Sequence, residues 1–298
     1  MIEGLTGFPP DLLLLQAFTG LALGAVYVLL AVGLSLIFGL LGVVNFAHGA
    51  FYMVGAYAAV VVVAAGGDFW ACLLAAPVLV AGLGLLVERT LIRRLYGRHV
   101  DDPLLLTFGL AYILVEGVRI VWGKQALPFE TPEALAGAVD IGVGYFPLYR
   151  IFVIAVAAAV LAGLWLLIER TRWGLVIRAG ARDPTIVRVL GIDVGRVWLL
   201  VFGLGTGLAG LAGVLAAPLQ GVAPEMGTGV LAEAFVVTVV GGMGSLLGGV
   251  VAGLLVGVTV TMTALLWPEM AKVSMFVLMA AVLLVRPQGL FGRPGLLS

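Results

Sequence analysis

The sequence predicts an all-α, polytopic membrane protein, and three observations lead to this fold class. Hydrophobic residues make up 62% of the 298 residues and charged residues only 11%, with a mean hydropathy of +1.21, whereas soluble domains run about 45–50% apolar and about 25% charged. No Asp, Glu, Lys or Arg occurs in the 56 residues from Leu12 to Gly67. Many of the 43 glycines also lie inside apolar runs. We therefore interpret residues 1–298 as a single transmembrane domain.

The apolar runs predict about eight transmembrane segments. A helix that crosses ~30 Å of hydrocarbon needs roughly 20 mostly apolar residues, so the first run is too long for one crossing and long enough for two. It follows Glu3 and Asp11, where a signal peptide would carry basic residues, so Leu12 is expected to begin a retained span. The later apolar runs lie at about residues 69–87, 103–122, 148–168, 197–217, 230–267 and 273–286.

The distribution of charge predicts an N-terminus outside the cell and a cytoplasmic C-terminus. Three stretches hold 12 of the 16 basic residues, and the positive-inside rule assigns them to the cytoplasm. They are 88–102 with Arg89, Arg93, Arg94 and Arg98; 169–196 with Arg170, Arg172, Arg178, Arg182, Arg188 and Arg196; and the tail with Arg286 and Arg293. The opposite set of loops is rich in acidic residues, namely Glu3, Asp11, Asp68, Glu130, Glu133, Asp140, Glu225, Glu233 and Glu269.

The run at 230–267 is predicted to enter the membrane and return as a broken, hairpin-like pair. Both flanking loops are assigned to the outside, and 38 residues at ~1.5 Å rise are slightly short for two full helices and a turn. The middle of the run, from Gly241 to Gly249, reads GGMGSLLGG, which would break a helix. Lipid cannot form hydrogen bonds with the unpaired N–H and C=O groups of irregular backbone, so this part must be buried in protein or line a water-filled cavity. Two interpretations stay open: a translocation pathway, or tight packing by glycines.

Glycines elsewhere in the apolar runs predict a compact helical bundle. Several repeat at a spacing of four residues, which leaves one helix face without side chains, so that a neighbouring backbone can approach closely. They are Gly20 and Gly24, Gly203 and Gly207, and the series Gly249, Gly253 and Gly257.

The cytoplasmic segment 169–196 is longer than a simple connection between two helices. Within it, Asp183 is a good N-cap residue and Pro184 suits the first helical position, while Gly191 would end the helix. The pattern predicts a short amphipathic helix, which either anchors at the membrane face or docks into a groove on a soluble partner.

Four polar residues within the apolar runs are site candidates. Asn45 and His48 lie in the long uncharged run and should have buried partners, either as a polar turn near a gate or to fasten the break between the first two spans. Glu116 and Arg119 are three residues apart on one helix face and can form an intramembrane ion pair, which we interpret as structural.

The sequence excludes several classes of protein. It has no Walker A motif, no Gly-x-Ser-x-Gly elbow and no His-Glu-x-x-His zinc helix, and it contains only two lysines. Cys72 is the single cysteine and only two histidines are present, so neither a metal site nor a cofactor is expected. A net charge of zero gives no reason to expect nucleic acid. We expect a transport protein rather than an enzyme.

Three motifs carry a resemblance to a known family. LSLIFGLLGVVNFAHGAFYMVGAY (Leu34 to Tyr57) strongly resembles the signature of permease subunits of ABC importers for branched-chain, hydrophobic amino acids. RAGARDPTIVRVLGID (Arg178 to Asp193) resembles that family's coupling loop, although Ile186 and Val187 are bulky where members often have small residues. VVGGMGSLLGG (Val239 to Gly249) resembles its C-terminal glycine motif.

The resemblance implies a multi-pass protein of the bacterial cytoplasmic (inner) membrane that forms half of a translocation pathway. The implied partners are a homologous second permease, two cytoplasmic ABC ATPases that supply ATP hydrolysis, an extracytoplasmic substrate-binding protein, and membrane lipid. Candidates for ATPase coupling are Arg178, Ala179, Asp183, Pro184, Val187, Leu190, Gly191 and Ile192. Candidates for the pathway or its gate are Asn45, Phe46, His48, Gly49, Gly241, Gly242, Gly244, Ser245 and Gly248.

Alternative functions stay open at this point. Related permeases also serve urea, short amides or other amino acids, and nothing in the predicted spans discriminates among these substrates. A secondary transporter or channel would need mid-membrane ionisable residues to couple an ion, and only Glu116, Arg119 and His48 are available. In a secondary transporter or channel, the long segment at 169–196 would also have no evident role.

Overall fold

The computed structural model describes residues 8–42, 44–96, 98–99 and 101–292. Glu3 and Arg293, which contribute to the predicted orientation, lie outside the described residues. The α-helices are α1 (Pro10–Leu41), α2 (His48–Ala64), α3 (Phe69–Thr90), α4 (Asp101–Trp122), α5 (Leu148–Arg170), α6 (Arg172–Arg182), α7 (Pro184–Val189), α8 (Val194–Gln220), α9 (Met226–Gly241), α10 (Leu246–Leu266) and α11 (Ala271–Val285). A two-stranded antiparallel hairpin, β1 (Ala138–Asp140) and β2 (Tyr145–Pro147), and three short 3-10 turns at Ile92–Leu95, Glu133–Leu135 and Pro268–Met270 complete the description.

The helices confirm an all-α, polytopic membrane protein. In the described part of the chain seven segments are long and apolar enough to cross a membrane, the last of them being α11 together with the 3-10 turn at Pro268–Met270. Helices α2 and α9 are apolar but shorter, at 17 and 16 residues. The two spans predicted within the long uncharged run are α1 and α2. The broken pair predicted at 230–267 is α9 and α10, although α9 begins earlier, at Met226.

The described parts of the three basic stretches gather at one end of the bundle. The C-terminal end of α1 packs there on the start of α8, through Leu40, Val197 and Val201. At the opposite end, the start of α1 meets the end of α10, where Gln16 donates to the Thr261 carbonyl oxygen at 2.8 Å. The positive-inside prediction assigns the basic end to the cytoplasm. Tryptophans stand near both ends of the bundle, as aromatic belts require: Trp70, Trp122 and Trp267 near one, and Trp165, Trp173 and Trp198 near the other.

Helix α1 is the central element, because it is largely buried and contacts α10, α8 and α9 extensively. Its glycines permit this closeness. A Cβ added at Gly24 would stand only 2.8 Å from the Gly253 carbonyl oxygen of α10. On the other side of α1, a Cβ at Gly33 would stand 2.6 Å from the Gly205 carbonyl oxygen of α8. The predicted glycine packing is therefore confirmed for α1 and α10.

Helices α2 and α9 begin beside each other inside the bundle and run towards opposite ends. A Cβ added at Gly49 would overlap the carbonyl oxygen of Gly227, and the reverse also holds. His48, the first residue of α2, binds the Leu30 carbonyl oxygen near the middle of α1. The chain therefore turns back into the bundle after α1 and starts α2 at depth. This arrangement, two helix N-termini meeting in the interior, positions the site described next.

Candidate functional site

The segment between α1 and α2 is irregular backbone held inside the bundle by polar side chains. The Asn45 Oδ1 atom accepts from the backbone N–H of Ala47 at 3.1 Å, and His48 Nε2 lies 3.0 Å from the Leu30 carbonyl oxygen. Thr107 of α4 accepts from the Phe46 N–H at 3.2 Å. Asn45 and His48 are 1% and 0% exposed. Both side chains thus fasten the break between the first two spans, which is one of the two interpretations offered above; a gating role stays a prediction.

A cavity of about 280 Å³ opens beside this segment. It lies between α1, the 44–46 segment, α9 and α11, and most of its lining is apolar. The lining residues are Leu34, Val44, Asn45, Phe46, Thr228, Leu231, Ala232, Phe235, Val236, Phe276 and Met279. Of the predicted pathway candidates, Asn45 and Phe46 line this cavity. His48 and Gly49 lie behind it, in contact with α1 and α9.

The glycine motif between α9 and α10 breaks the helix as predicted. Gly242 and Gly244 adopt φ values of 97° and 81°, a region that side chains disfavour. Ser245 caps α10 by accepting from the Gly248 N–H at 3.0 Å, and Ser35 of α1 accepts from the Gly244 N–H at 3.0 Å. Side chains of the protein thus supply hydrogen-bond partners for the backbone N–H groups of this turn.

Close packing surrounds the same turn. A Cβ at Gly248 would overlap the Gly241 carbonyl oxygen, and the C-terminal segment covers the turn as the Leu290 N–H donates to the Val240 carbonyl oxygen at 2.8 Å. None of the five motif residues predicted for the pathway lines the cavity described above. The contacts of this motif favour glycine packing, and its role in a pathway stays a prediction.

The segment 169–196, which is predicted to be cytoplasmic, forms two helices, where the pattern predicted only one. The predicted helix is α7: Asp183 Oδ1 accepts from the N–H groups of Thr185 and Ile186 at 2.8 and 3.1 Å, Pro184 is the first helical residue, and Gly191 turns the chain with φ 78°. The additional helix is α6, capped by Thr171. Sequence reasoning missed it, although the capping residue Thr171 and the apolar group Trp173, Leu175, Val176 and Ile177 could have indicated it.

The coupling candidates divide into outward-facing and inward-facing residues. Val187 is 2% exposed, and Arg178 binds the Ile168 carbonyl oxygen and Glu169 at the end of α5, so both hold the segment in place. Three exposed apolar side chains form an outward ridge, which we call the α7 ridge: Ile186 and Val189 of α7 and Leu190 directly after it. They are 60%, 82% and 71% exposed, respectively. Leu190 was among the candidates, and Ile186 and Val189 were not.

A chain of contacts that the sequence did not indicate leads from α7 into the bundle. The Arg188 guanidinium lies 5.6 Å from the Trp198 ring centroid, and the Trp198 and Tyr96 rings stand edge to face at 4.5 Å. The Tyr96 hydroxyl donates to Glu88 Oε1 at 2.8 Å, and Arg93 lies 3.7 Å from the same oxygen. The Glu88 side chain is fully buried. This chain physically connects the exposed arginine of α7 to the end of α3.

The predicted Glu116–Arg119 ion pair is present and has a third member. Arg119 also pairs with Glu225, which precedes α9. One expectation was wrong: Glu233 does not lie in an acidic loop but within α9, where it lies close to Tyr27 of α1. No group of three potential metal ligands occurs among the described residues.

The chain is similar to known membrane permeases over most of its length. Residues 16–283 match the family described as "Branched-chain amino acid transport system / permease component". The high-affinity branched-chain amino acid transport system permease proteins BraD of Pseudomonas aeruginosa and LivH of Escherichia coli K12 are each 33% identical over 94% of this chain and 95% of their own length. The permease protein LivM of E. coli K12 is 30% identical over 89% of this chain and 67% of its own length.

One solved structure also resembles the chain. PsaBC from Streptococcus pneumoniae, in complex with Fab, superposes with a TM-score of 0.50 at 15% sequence identity and covers 95% of this chain and 93% of its own. At this identity the likeness concerns the fold alone. It extends over the whole helical bundle rather than one part of it.

Proposed function

Because this chain belongs to the family of permease components of branched-chain amino acid transport systems, we propose that it forms half of the translocation pathway of an ATP-driven importer for branched-chain amino acids. The observation that carries the proposal is the family match over residues 16–283, which takes in nearly every span. The family's permeases are transport subunits without an ATPase of their own. The chain is accordingly a multi-pass membrane transport subunit and not an enzyme.

A second, homologous permease completes the pathway in this proposal. Two different permease proteins of E. coli K12, LivH and LivM, both match the chain, which favours a pair of related but distinct subunits. The cavity between α1, the 44–46 segment, α9 and α11 supports the same view, because Thr228, Ala232 and Phe235 on its α9 wall are exposed and leave it open on one side. A facing subunit would close that side.

In this proposal one cytoplasmic ATPase docks on the α7 ridge of this chain and a second docks on the second permease, while a binding protein delivers substrate at the opposite end. The ridge of Ile186, Val189 and Leu190 is an apolar surface of the kind that a helix lays into a groove on its partner. Arg188 stands between these residues and connects to Trp198 behind them. Movement of the ATPases would therefore be transmitted to α8 and α3 through the contacts of Arg188 with Trp198 and of Tyr96 with Glu88.

The test is transport by the reconstituted system. The permease, its second permease, the ATPases and the binding protein are placed in proteoliposomes, and uptake of labelled leucine, isoleucine and valine is measured with and without ATP. We expect ATP-dependent uptake that requires every component. Urea, a short amide and a polar amino acid serve as competing substrates; uptake of one of these in preference to leucine would reassign the substrate, and uptake without ATPases would refute the importer.

A further inference from the structure

The cavity between α1, the 44–46 segment, α9 and α11 is lined in part by Asn45, whose buried side-chain donor has no partner among the described residues. The Oδ1 atom of Asn45 accepts from the Ala47 N–H, which fixes the orientation of the amide. The other end, Nδ2, has no hydrogen-bond partner among the described residues, although Asn45 is only 1% exposed and belongs to the cavity lining. An unpaired buried donor is costly. A ligand that brings its own acceptor would remove that cost.

Two helix N-termini flank the same donor. Helix α2 begins at His48, three residues after Asn45, and Thr228 in the first turn of α9 is part of the lining. The N-terminal end of a helix carries a partial positive charge and favours an anion. Glu225, which precedes α9, makes no side-chain cap and pairs instead with Arg119. Because Arg119 is shared between Glu225 and Glu116, the Asn45 amide and the start of α2 are the groups that favour a negatively charged acceptor at this corner of the cavity.

The remainder of the cavity is apolar and small. Aromatic rings of Phe46, Phe235 and Phe276, together with Met279, form its walls. Its volume of about 280 Å³ is just under the range of about 300–1,000 Å³ typical of pockets for drug-sized ligands, so it suits a smaller molecule. A ligand with one anionic end and a short apolar body fits both parts of the cavity.

We infer that this cavity is a contact site for the transported amino acid, in which Asn45 Nδ2 donates to the substrate carboxylate and the substrate side chain packs against Phe46, Phe235 and Met279. The inference rests on the proposed function and adds the position and chemistry of substrate contact. It gives Asn45 two roles with different atoms: Oδ1 holds the backbone turn, and Nδ2 binds the substrate.

The two roles can be separated by the substitution Asn45→Asp. Aspartate keeps an acceptor oxygen for the Ala47 N–H and nearly the same shape, but it replaces the amide donor with a second, negatively charged oxygen. In the reconstituted transporter we expect the KM for leucine uptake to rise about tenfold or more, the loss expected for a hydrogen bond to a charged group. An unchanged KM in a fully assembled Asn45→Asp complex would overturn the inference.

Direct occupancy is measured by cysteine protection in the assembled transporter. Cys72→Ala removes the native thiol, Thr228→Cys places one on the cavity wall, and maleimide labelling of this chain is followed over time. We expect L-leucine to slow labelling, L-leucinamide, which has no carboxylate, to have little effect, and Asn45→Asp to abolish the protection. Leu247→Cys, exposed on α10 and outside the cavity, is the matched control and should label at a rate independent of leucine.

The outcomes distinguish this inference from the proposed function. Equal protection by leucine and leucinamide, or labelling that responds only to the acyl-chain length of the lipid, would overturn the inference; the latter would assign the cavity to lipid. If the wild-type complex transports leucine but no protection occurs, the cavity assignment fails and the proposed function stands. If the complex transports no apolar amino acid, the proposed function itself fails.

Discussion

At the scale of single residues, the interior of this membrane protein depends on a few polar side chains with specific partners. Glu88 is the clearest case, because it is fully buried and its Oε2 atom has no hydrogen-bond partner among the described residues. The other oxygen accepts from the Tyr96 hydroxyl and lies near Arg93. A buried carboxylate with so few partners depends strongly on each of them.

The substitution Tyr96→Phe should therefore destabilise the protein. It removes the donor to Glu88 Oε1 while keeping the ring contact with Trp198, so we expect a loss of about 1–3 kcal/mol, the cost of leaving a buried polar group unsatisfied. Thermal unfolding of the purified complex measures the effect. Tyr145→Phe, at a residue 76% exposed in β2, is the control and should leave the unfolding temperature unchanged. Equal unfolding temperatures for the two variants would contradict this role of Tyr96.

At the scale of elements, the six-residue helix α7 is too short to be stable alone and depends on its cap. Isolated helices of this length do not form in water, and here Asp183 satisfies two of the otherwise unpaired N–H groups at the start of the helix. The helix is further held by Val187, which is buried beneath it. Its outward ridge can be a rigid docking surface only while these contacts persist.

Removing the cap of α7 should weaken coupling. Asp183→Ala is expected to cost about 1 kcal/mol of local stability and to lower the substrate-stimulated ATPase activity of the assembled transporter. Asp183→Asn retains a capping oxygen and should keep most of that activity. If alanine and asparagine behave alike, the cap does not contribute to coupling.

The ridge itself makes a separate prediction. Replacing Ile186 and Val189 together by serine removes two exposed apolar side chains without disturbing buried Val187, so the permease should fold normally but retain less ATPase during purification. The yield of ATPase bound per permease measures this. Val139→Ser, at an exposed valine in β1 at the other end of the bundle, is the matched control. Full retention of ATPase by the double variant would place docking elsewhere.

At the scale of the whole molecule, glycine contacts decide how closely the spans approach. Gly24 and Gly163 both lie inside spanning helices, but a Cβ at Gly24 would meet the backbone of Gly253 and Leu254 on α10, whereas one at Gly163 would meet nothing within 4 Å. The same change at these two positions therefore tests packing rather than helix propensity.

We expect Gly24→Ala to destabilise the bundle by about 1–3 kcal/mol, the usual cost of overpacking, and Gly163→Ala to be neutral or to stabilise it by about 0.5–1 kcal/mol through better helix propensity. Unfolding temperatures and the yield of monodisperse protein compare the two variants. A stable Gly24→Ala protein would show that α1 and α10 can separate at little cost.

The orientation of the molecule gives a further prediction. With Cys72 replaced by alanine, a cysteine at Thr185 of α7 should react with an impermeant maleimide only after the membrane is opened. A cysteine at Tyr145, at the opposite end of the bundle, should react in intact cells. Labelling of the Thr185→Cys variant from outside would reverse the orientation and remove α7 from the reach of cytoplasmic ATPases.

The sequence by itself determined the class of fold, the places of the spans and of the glycine break, the cap of α7 and the Glu116–Arg119 pair. Each of these depends on composition or on residues close together in the chain, where hydropathy, helix periodicity and capping act. It also showed that Asn45 and His48 needed partners, without showing which.

Only the tertiary structure decided those partners. His48 pairs with the Leu30 carbonyl oxygen, Thr107 accepts from the backbone before α2, and Tyr96 donates to Glu88. The starts of α2 and α9 meet inside the bundle. The physical reason is that lipid-exposed and buried faces of these helices are equally apolar, so hydropathy does not tell which face meets which neighbour. That choice is made by close backbone packing and by buried hydrogen bonds between residues distant in sequence.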